Sequence, residues 1–251
     1  MRTQRTVSEV KLVVPMRPRR LLAIDIARSI ALVAMILFHL AWDLTMFGFL
    51  SQDTMQATGW KVFARIIAGS FLFLSGICLW LAHADGIRWR SFLRRLSILV
   101  LAATAVSLAT RLAMPQAWVR FGILHAIALS TTAGLLFLQA PVAVLALAAI
   151  VSLLLGRADW AVFDDPVWLW TGLGGIRPRM LDYEPIFPWL GVCLFGLLFA
   201  RLFADRWQGL TELPGKVGRI LSWPGRNSLS IYLLHQPILF GAVWMADRVL
   251  H

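Results

Sequence analysis

Polar positions in this chain are few and widely spaced, and the apolar runs between them are long enough to cross a bilayer. At about 17 to 25 residues per crossing, the pattern predicts helices over residues 22–43, 62–83, 92–112, 121–138, 141–156, 186–204 and 227–248. The fourth and fifth are short and joined only by Gln139, Ala140 and Pro141, a turn where proline ends one helix and opens the next. The fold expected is all-α, a polytopic membrane bundle of seven transmembrane helices. No repeat or low-complexity tract divides it, so residues 21–251 read as a single transmembrane domain behind a tail of residues 1–20.

Composition agrees with that pattern. Of 251 residues, 59% are hydrophobic and 15% charged, with a mean hydropathy of +0.73, outside the balance of soluble domains. Twelve Trp and fifteen Phe suit interfacial belts and lipid-facing packing. The two cysteines, Cys78 and Cys193, lie in apolar runs far apart, which argues against a disulfide framework and against a metal site.

The net charge of +11 would suit a nucleic-acid binder, but topology accounts for it better. With the tail inside, fifteen Lys and Arg fall on the inner side and eight on the outer, the bias that sets a cytoplasmic N-terminus and an external C-terminus. Nucleic acid is therefore not expected as a partner. The first apolar segment is too long for a signal-peptide core and lacks a small-residue cleavage site. The outer loop from Gly156 to Pro185 collects Asp159, Asp164, Asp165, Asp182 and Glu184 with Trp160, Trp168 and Trp170, and reads as a partly ordered segment lying on the outer face. The localisation expected is a bacterial inner membrane, multi-pass.

The first helix carries polar residues that an anchor does not need. Helical phase puts Asp25, Arg28, Leu32, His39 and Asp43 on one side, with roughly 21 Å from Asp25 to His39 at 1.5 Å per residue. Asp25 and Arg28, at i and i+3, suit a pair near the inner interface, either as a structural clasp or as part of a binding site. His39 reads either as an interhelical hydrogen-bonding partner or as an acid–base group, since only imidazole changes charge near neutral pH unaided. Asp43 would orient the ring or simply form a solvated helix end.

Further along, "RFGILHAIAL" places Arg120 and His125 at the same outer level, as anchor and packing residue or as partners of His39 and Asp43. "DYEPIFPWLGV" brings Asp182, Tyr183 and Trp189 to that face, as belt residues or as acceptor contacts. In "GRNSLSIYLLHQP", Arg226 sits at the inner end, Asn227 or Ser228 caps the helix, and His235 lies about halfway across beside Pro237. His235 is either a kink partner or a binding residue. Ser75 and Gly76 in "FLFLSG" read as close-packing residues. No zinc spacing, Walker loop, dinucleotide fingerprint or G-x-S-x-G occurs.

Taken together, Asp25-x-x-Arg28, His39-x-x-x-Asp43, "FLFLSG", "RFGILH", "PIFPW" and "SLSIYLLHQP" resemble the bacterial branch of the heparan-alpha-glucosaminide N-acetyltransferase catalytic-domain family, from about Arg20 to Trp244. A more distant likeness is to the acyltransferase-3 type membrane enzymes. The resemblance implies acyl transfer, usually of acetyl from cytosolic acetyl-CoA, to a sugar hydroxyl or amine across the membrane. The family's first-helix arginine matches Arg28, followed by Ser29 where glycine is usual, and its outer-end histidine matches His39. The lysosomal branch has its proposed catalytic histidine in the loop after the first helix, and Thr45 to Trp60 contain none. His39, with His125 as a second histidine, is then the better candidate.

The expected assignment is an acetyl-CoA-dependent membrane acyltransferase needing no metal. His39, Asp43 and His125 are its catalytic candidates, and Arg28, Asp25, Arg226 and Asn227 would receive the CoA. Arg120, Asp182, Tyr183, Trp189 and His235 would hold a glycan or lipid-linked sugar acceptor, with the bilayer as the other partner and a homodimer left open. The rival reading is a proton-coupled transporter using the polar stripe of the first helix, which an inverted repeat would favour.

Overall fold

The structure, a computed structural model, describes residues 21–204 and 216–250. The basic tail, residues 1–20, lies outside the described residues. Among those described, every regular element is helical: α1 (Leu22–Met46), α2 (Gln52–Gln56), α3 (Thr58–His83), α4 (Trp89–Ala113), α5 (Ile123–Gly134), α6 (Val142–Leu155), α7 (Ile186–Leu202), α8 (Lys216–Arg226) and α9 (Ser228–Leu250). A single 3₁₀ turn, Leu135–Phe137, extends α5.

Local sequence explains where these helices stop. No glycine or proline interrupts α1 until Gly48, which takes a φ of +80° that side-chain-bearing residues avoid. Met114 precedes Pro115 and leaves the helical region at the end of α4. Pro141 opens α6, and Pro185 opens α7, where Phe187 adopts φ −102° and ψ 127° and kinks the first turn.

Four helices, α1, α3, α4 and α9, are long and apolar enough to cross a membrane by length and composition. The helix through Phe137, α6 and α7 are shorter and equally apolar. These seven coincide with the segments expected from the sequence. The two helices not expected, α2 and α8, are short and too polar to register as apolar runs.

Helix α7 lies at the centre, packed on α3, α5 and α6. Its crossing with α3 brings backbone against backbone: a Cβ on Gly76 would overlap the Cys193 carbonyl, and one on Gly196 the Phe73 carbonyl. Small residues at such crossings let van der Waals contact form where lipid supplies no hydrophobic drive. Around this axis Leu72, Ala126 and Cys193 fill one cluster, and Leu79, Leu145, Leu194 and Leu197 another. Helix α4 touches the bundle mainly through α5 and exposes Leu101, Leu108 and Leu112. α1 and α9 similarly expose Ile30, Val33, Ile238 and Met245. In water so much apolar surface would be a liability; against acyl chains it is matched.

Helices α1 and α9 run parallel. The junction of α8 and α9 meets the start of α1, Gln236 meets Asp43, and Phe240 meets Phe47 further along. The bundle thus has a tail end, where α1 begins, and a loop end, beneath residues 156–185.

Candidate functional site

Three polar clusters occupy the tail end, the middle and the loop end. At the tail end, Asp25 accepts two guanidinium groups, Arg28 Nη1 at 3.5 Å and Arg226 Nε at 3.3 Å. The first contact is the i, i+3 pair expected on one helix; the second comes from 201 residues away. Arg28 also donates through Nη2 to Cys78 Sγ on α3, at 2.7 Å. Arg95 on α4 faces Arg28, Cys78 and Cys193, so cysteines distant in sequence share one region. Ser29 Oγ donates to the Asp25 carbonyl and accepts the Gly225 N–H at 2.9 Å. A cleft lined by His83, Ser91, Arg95 and Thr131 opens beside this cluster, between α3, α4 and α5. Asn227 stands apart: it is exposed, and its amide donates to the Trp223 carbonyl.

In the middle, the His39 and His235 rings meet with centroids 4.8 Å apart and planes at 73°. Each Nδ1 is bound to a carbonyl of its own helix, His39 to Met35 at 3.0 Å and His235 to Tyr232 at 2.5 Å. A carbonyl only accepts, so each Nδ1 carries the proton and each neutral ring leaves Nε2 with its lone pair free. His235 Nε2 is buried without a protein partner. Its residue is 8% exposed.

Asp43, the most buried charged residue described at 1% exposure, does not serve His39 as expected. Its Oδ1 accepts from Gln236 Nε2 at 2.9 Å, and the Nδ1 it would have oriented is bound to Met35. Asp43 Oδ2 and Gln236 Oε1 are buried without protein partners. Orphaned atoms of this kind are rare in folded proteins and call for an explanation. Here Asp43 Oδ2, Gln236 Oε1 and His235 Nε2 are contributed by α1 and α9 within one turn of each other.

At the loop end, Asp182 Oδ2 accepts the Ile123 N–H at 2.8 Å, capping the start of α5. Burial lifts the Asp182 carboxyl to about 6, against the pull of that hydrogen bond. Glu184 is pushed to about 8, first by burial and then by the Asp182 charge, with the Trp189 side chain and Arg65 opposing. Tyr183 donates to the Leu169 carbonyl at 2.9 Å, and burial raises its phenol.

The expected convergence of Arg120 and His125 on His39 and Asp43 is not what the fold makes. His125 Nδ1 accepts the Gly122 N–H at 3.2 Å in a capping arrangement, its ring beside Phe121. Helix α5 packs on α3, α4 and α7 rather than on α1. Arg120 lies over the Trp118 ring at 5.4 Å. His235 fills the position beside His39 that the sequence reading offered to His125.

Four residues in these clusters escaped the sequence reading. Arg95 was one of the fifteen Lys and Arg on the inner side, with nothing to single it out, and Gln236 followed His235 in a motif read for its histidine and proline. Cys78 and Glu184 were visible only as residue types, because their partners lie on other helices.

The family model described as heparan-alpha-glucosaminide N-acetyltransferase, catalytic, matches residues 20–237. No curated protein and no solved structure matches the chain. The matched stretch starts just before Asp25 and ends just after Gln236, so it encloses all three clusters. The chain belongs to the heparan-alpha-glucosaminide N-acetyltransferase catalytic-domain family, and with its long apolar helices it is a membrane protein of acetyltransferase kind.

Proposed function

We propose that this protein transfers an acetyl group from cytosolic acetyl-CoA to a hydroxyl or amine of a sugar, free or lipid-linked, at the outer face of a bacterial inner membrane. Its single domain crosses the bilayer seven times with the tail end in the cytoplasm. The observation that carries this reading is the His39–His235 pair, two imidazoles with free Nε2 atoms inside an apolar bundle, on the same helical face as a cluster of arginines.

Arg28, Arg226 and Arg95 receive the phosphates of CoA at the cytoplasmic mouth, where guanidinium groups suit phosphate oxygens, and Asp25 holds the first two in place. From Arg28 to His39 is eleven residues, about 16 Å of helix, and the pantetheine arm runs along that face. His39 Nε2 takes the proton of the acceptor as its oxygen or nitrogen attacks the thioester carbonyl. The C–S bond breaks, and the CoA thiolate leaves towards the arginines and is protonated in the cytoplasm. Asp43 and Gln236 hold the acceptor with their unpartnered oxygens. Asp182, Tyr183 and Trp189 line its approach from the loop end. Alignment in a dry cavity and removal of one proton supply the rate, since a thioester needs little further activation.

Heating the purified protein in detergent with each ligand tests this. Acetyl-CoA is expected to raise the melting temperature and free acetate to leave it unchanged; no response to acetyl-CoA would overturn the proposal.

A further inference from the structure

The base that accepts the acceptor's proton lies deep in the bundle and must lose that proton before the next turnover. His39 and His235 share the task at most one proton at a time, because two adjacent imidazolium charges repel in a low-dielectric interior. The tail end is a poor receiver, because the one carboxylate described in that cluster, Asp25, is already held by the guanidinium groups of Arg28 and Arg226. In the other direction the next polar ring is Tyr232, 5.7 Å from His235 between centroids. Tyr232 stands in the electrostatic field of both Asp182 and Glu184. It packs on the same apolar cluster as Phe121 and Trp189, which bind that segment: the Glu184 N–H donates to the Phe121 carbonyl, and Trp189 bonds the Glu184 side chain.

We infer that Tyr232 and the Asp182–Glu184 carboxylate pair form the route by which the proton collected by His39 and His235 reaches the outer face. His39 Nε2–H passes its proton to His235 Nε2 through a bridging water, since no protein group lies within hydrogen-bond distance of that nitrogen. The Tyr232 hydroxyl takes it from His235 by way of the same water while giving its own proton to a carboxylate oxygen. Every group but the carboxylate returns to its starting state, and the carboxylate releases the proton at the loop end. Around this pair stand Arg65 of α3, Trp189 of α7, Tyr232 of α9, and His125 and the Ile123 N–H of α5. Two carboxyls that burial keeps from ionising together near neutral pH are suited to pick up and release one proton. The place of this route in catalysis rests on the acyl-transfer reading, but its existence does not.

The test therefore uses no acyl donor. The reconstituted protein is taken by stopped flow from alkaline to strongly acidic pH, low enough to charge an imidazole held inside an apolar bundle, and the infrared bands of imidazolium are followed. The signal of the pair is isolated by subtracting the His39→Gln, His235→Gln double variant. Tyr232→Phe, Glu184→Gln and Asp182→Asn are each expected to slow protonation of the pair at least tenfold while leaving its final amplitude unchanged. Asp182→Asn keeps an oxygen for the Ile123 N–H, and Tyr232→Phe keeps the packed ring. Unchanged rates in the three variants, a lowered amplitude, or slowing by Asp43→Asn alone would overturn the route. Absence of acetyl transfer with these rates as expected would instead remove the proposed function and leave the route standing.

Discussion

The tail end and the middle of the α1–α9 seam differ in how their polar atoms are satisfied. At the tail end, Asp25 holds two guanidinium groups, Arg28 reaches Cys78 as well, and Ser29 bonds on both sides. In the middle, Asp43 Oδ2, Gln236 Oε1 and His235 Nε2 are buried without protein partners. Helix α1 contributes to both, meeting α8 and α3 at the tail end and α9 in the middle. Closed polar networks hold helices together, whereas a buried group left open is costly unless something else completes it. The tail end reads as a clamp that also presents arginines, and the middle as a place prepared for a ligand.

Substitutions at the two places should fail in different ways. His39→Ala gives the largest effect: acetyl transfer falls about 10²- to 10⁴-fold, the range for a general base. The melting temperature holds, because the only hydrogen bond lost is to the Met35 carbonyl of the same helix. Full activity in this variant would move the chemistry elsewhere. Asp25→Ala works the other way. It leaves Arg28 and Arg226 without their shared carboxylate, at a cost of about 1 kcal/mol because both guanidinium groups are partly exposed to solvent, measured by equilibrium unfolding in mixed micelles. Unchanged stability would deny the clamp.

The effect at the loop end appears only as a dependence on pH. Glu184 titrates at about 8 in the folded chain, against about 4.3 for an ordinary glutamate. Between those values the folded state keeps a proton that the unfolded chain has released. Stability therefore falls as pH rises through the window and levels off above it. Glu184→Gln should flatten that part of a melting-temperature profile, and a profile identical to the parent's would show that Glu184 is not the group responsible.

Much of the fold was legible because the information is local. Runs of apolar residues marked all seven apolar helices to within a few residues of their ends, with Pro141 separating the two that are joined by the shortest turn. The Asp25–Arg28 contact was legible for the same reason, being three residues apart on one helix. Phase also put His39 and Asp43 on one face, but it could not say which helix that face would meet. Asp43 found Gln236, and His39 found His235, each across about 195 residues of chain. His125 was misplaced because a histidine three residues after a glycine at a helix start can turn back onto the backbone, and that competes with any role in the bundle. Helix α8 was missed because its buried residues, Gly218, Ser222 and Gly225, are small and leave no apolar signature.

The contact between Gly225 and Ser29 has a further consequence. A side chain at Gly225 would overlap the Asp25 carbonyl, so α1 and the end of α8 meet there at the closest distance backbones allow, and α9 is paid out from that fixed point. Ten residues later stands His235. One residue more or fewer between them would turn its ring about 100° around the helix and shift it 1.5 Å along, off His39 altogether. The distance along the chain from Gly225 to His235 is thus a ruler, and its length is as much a part of the site as the imidazole it delivers.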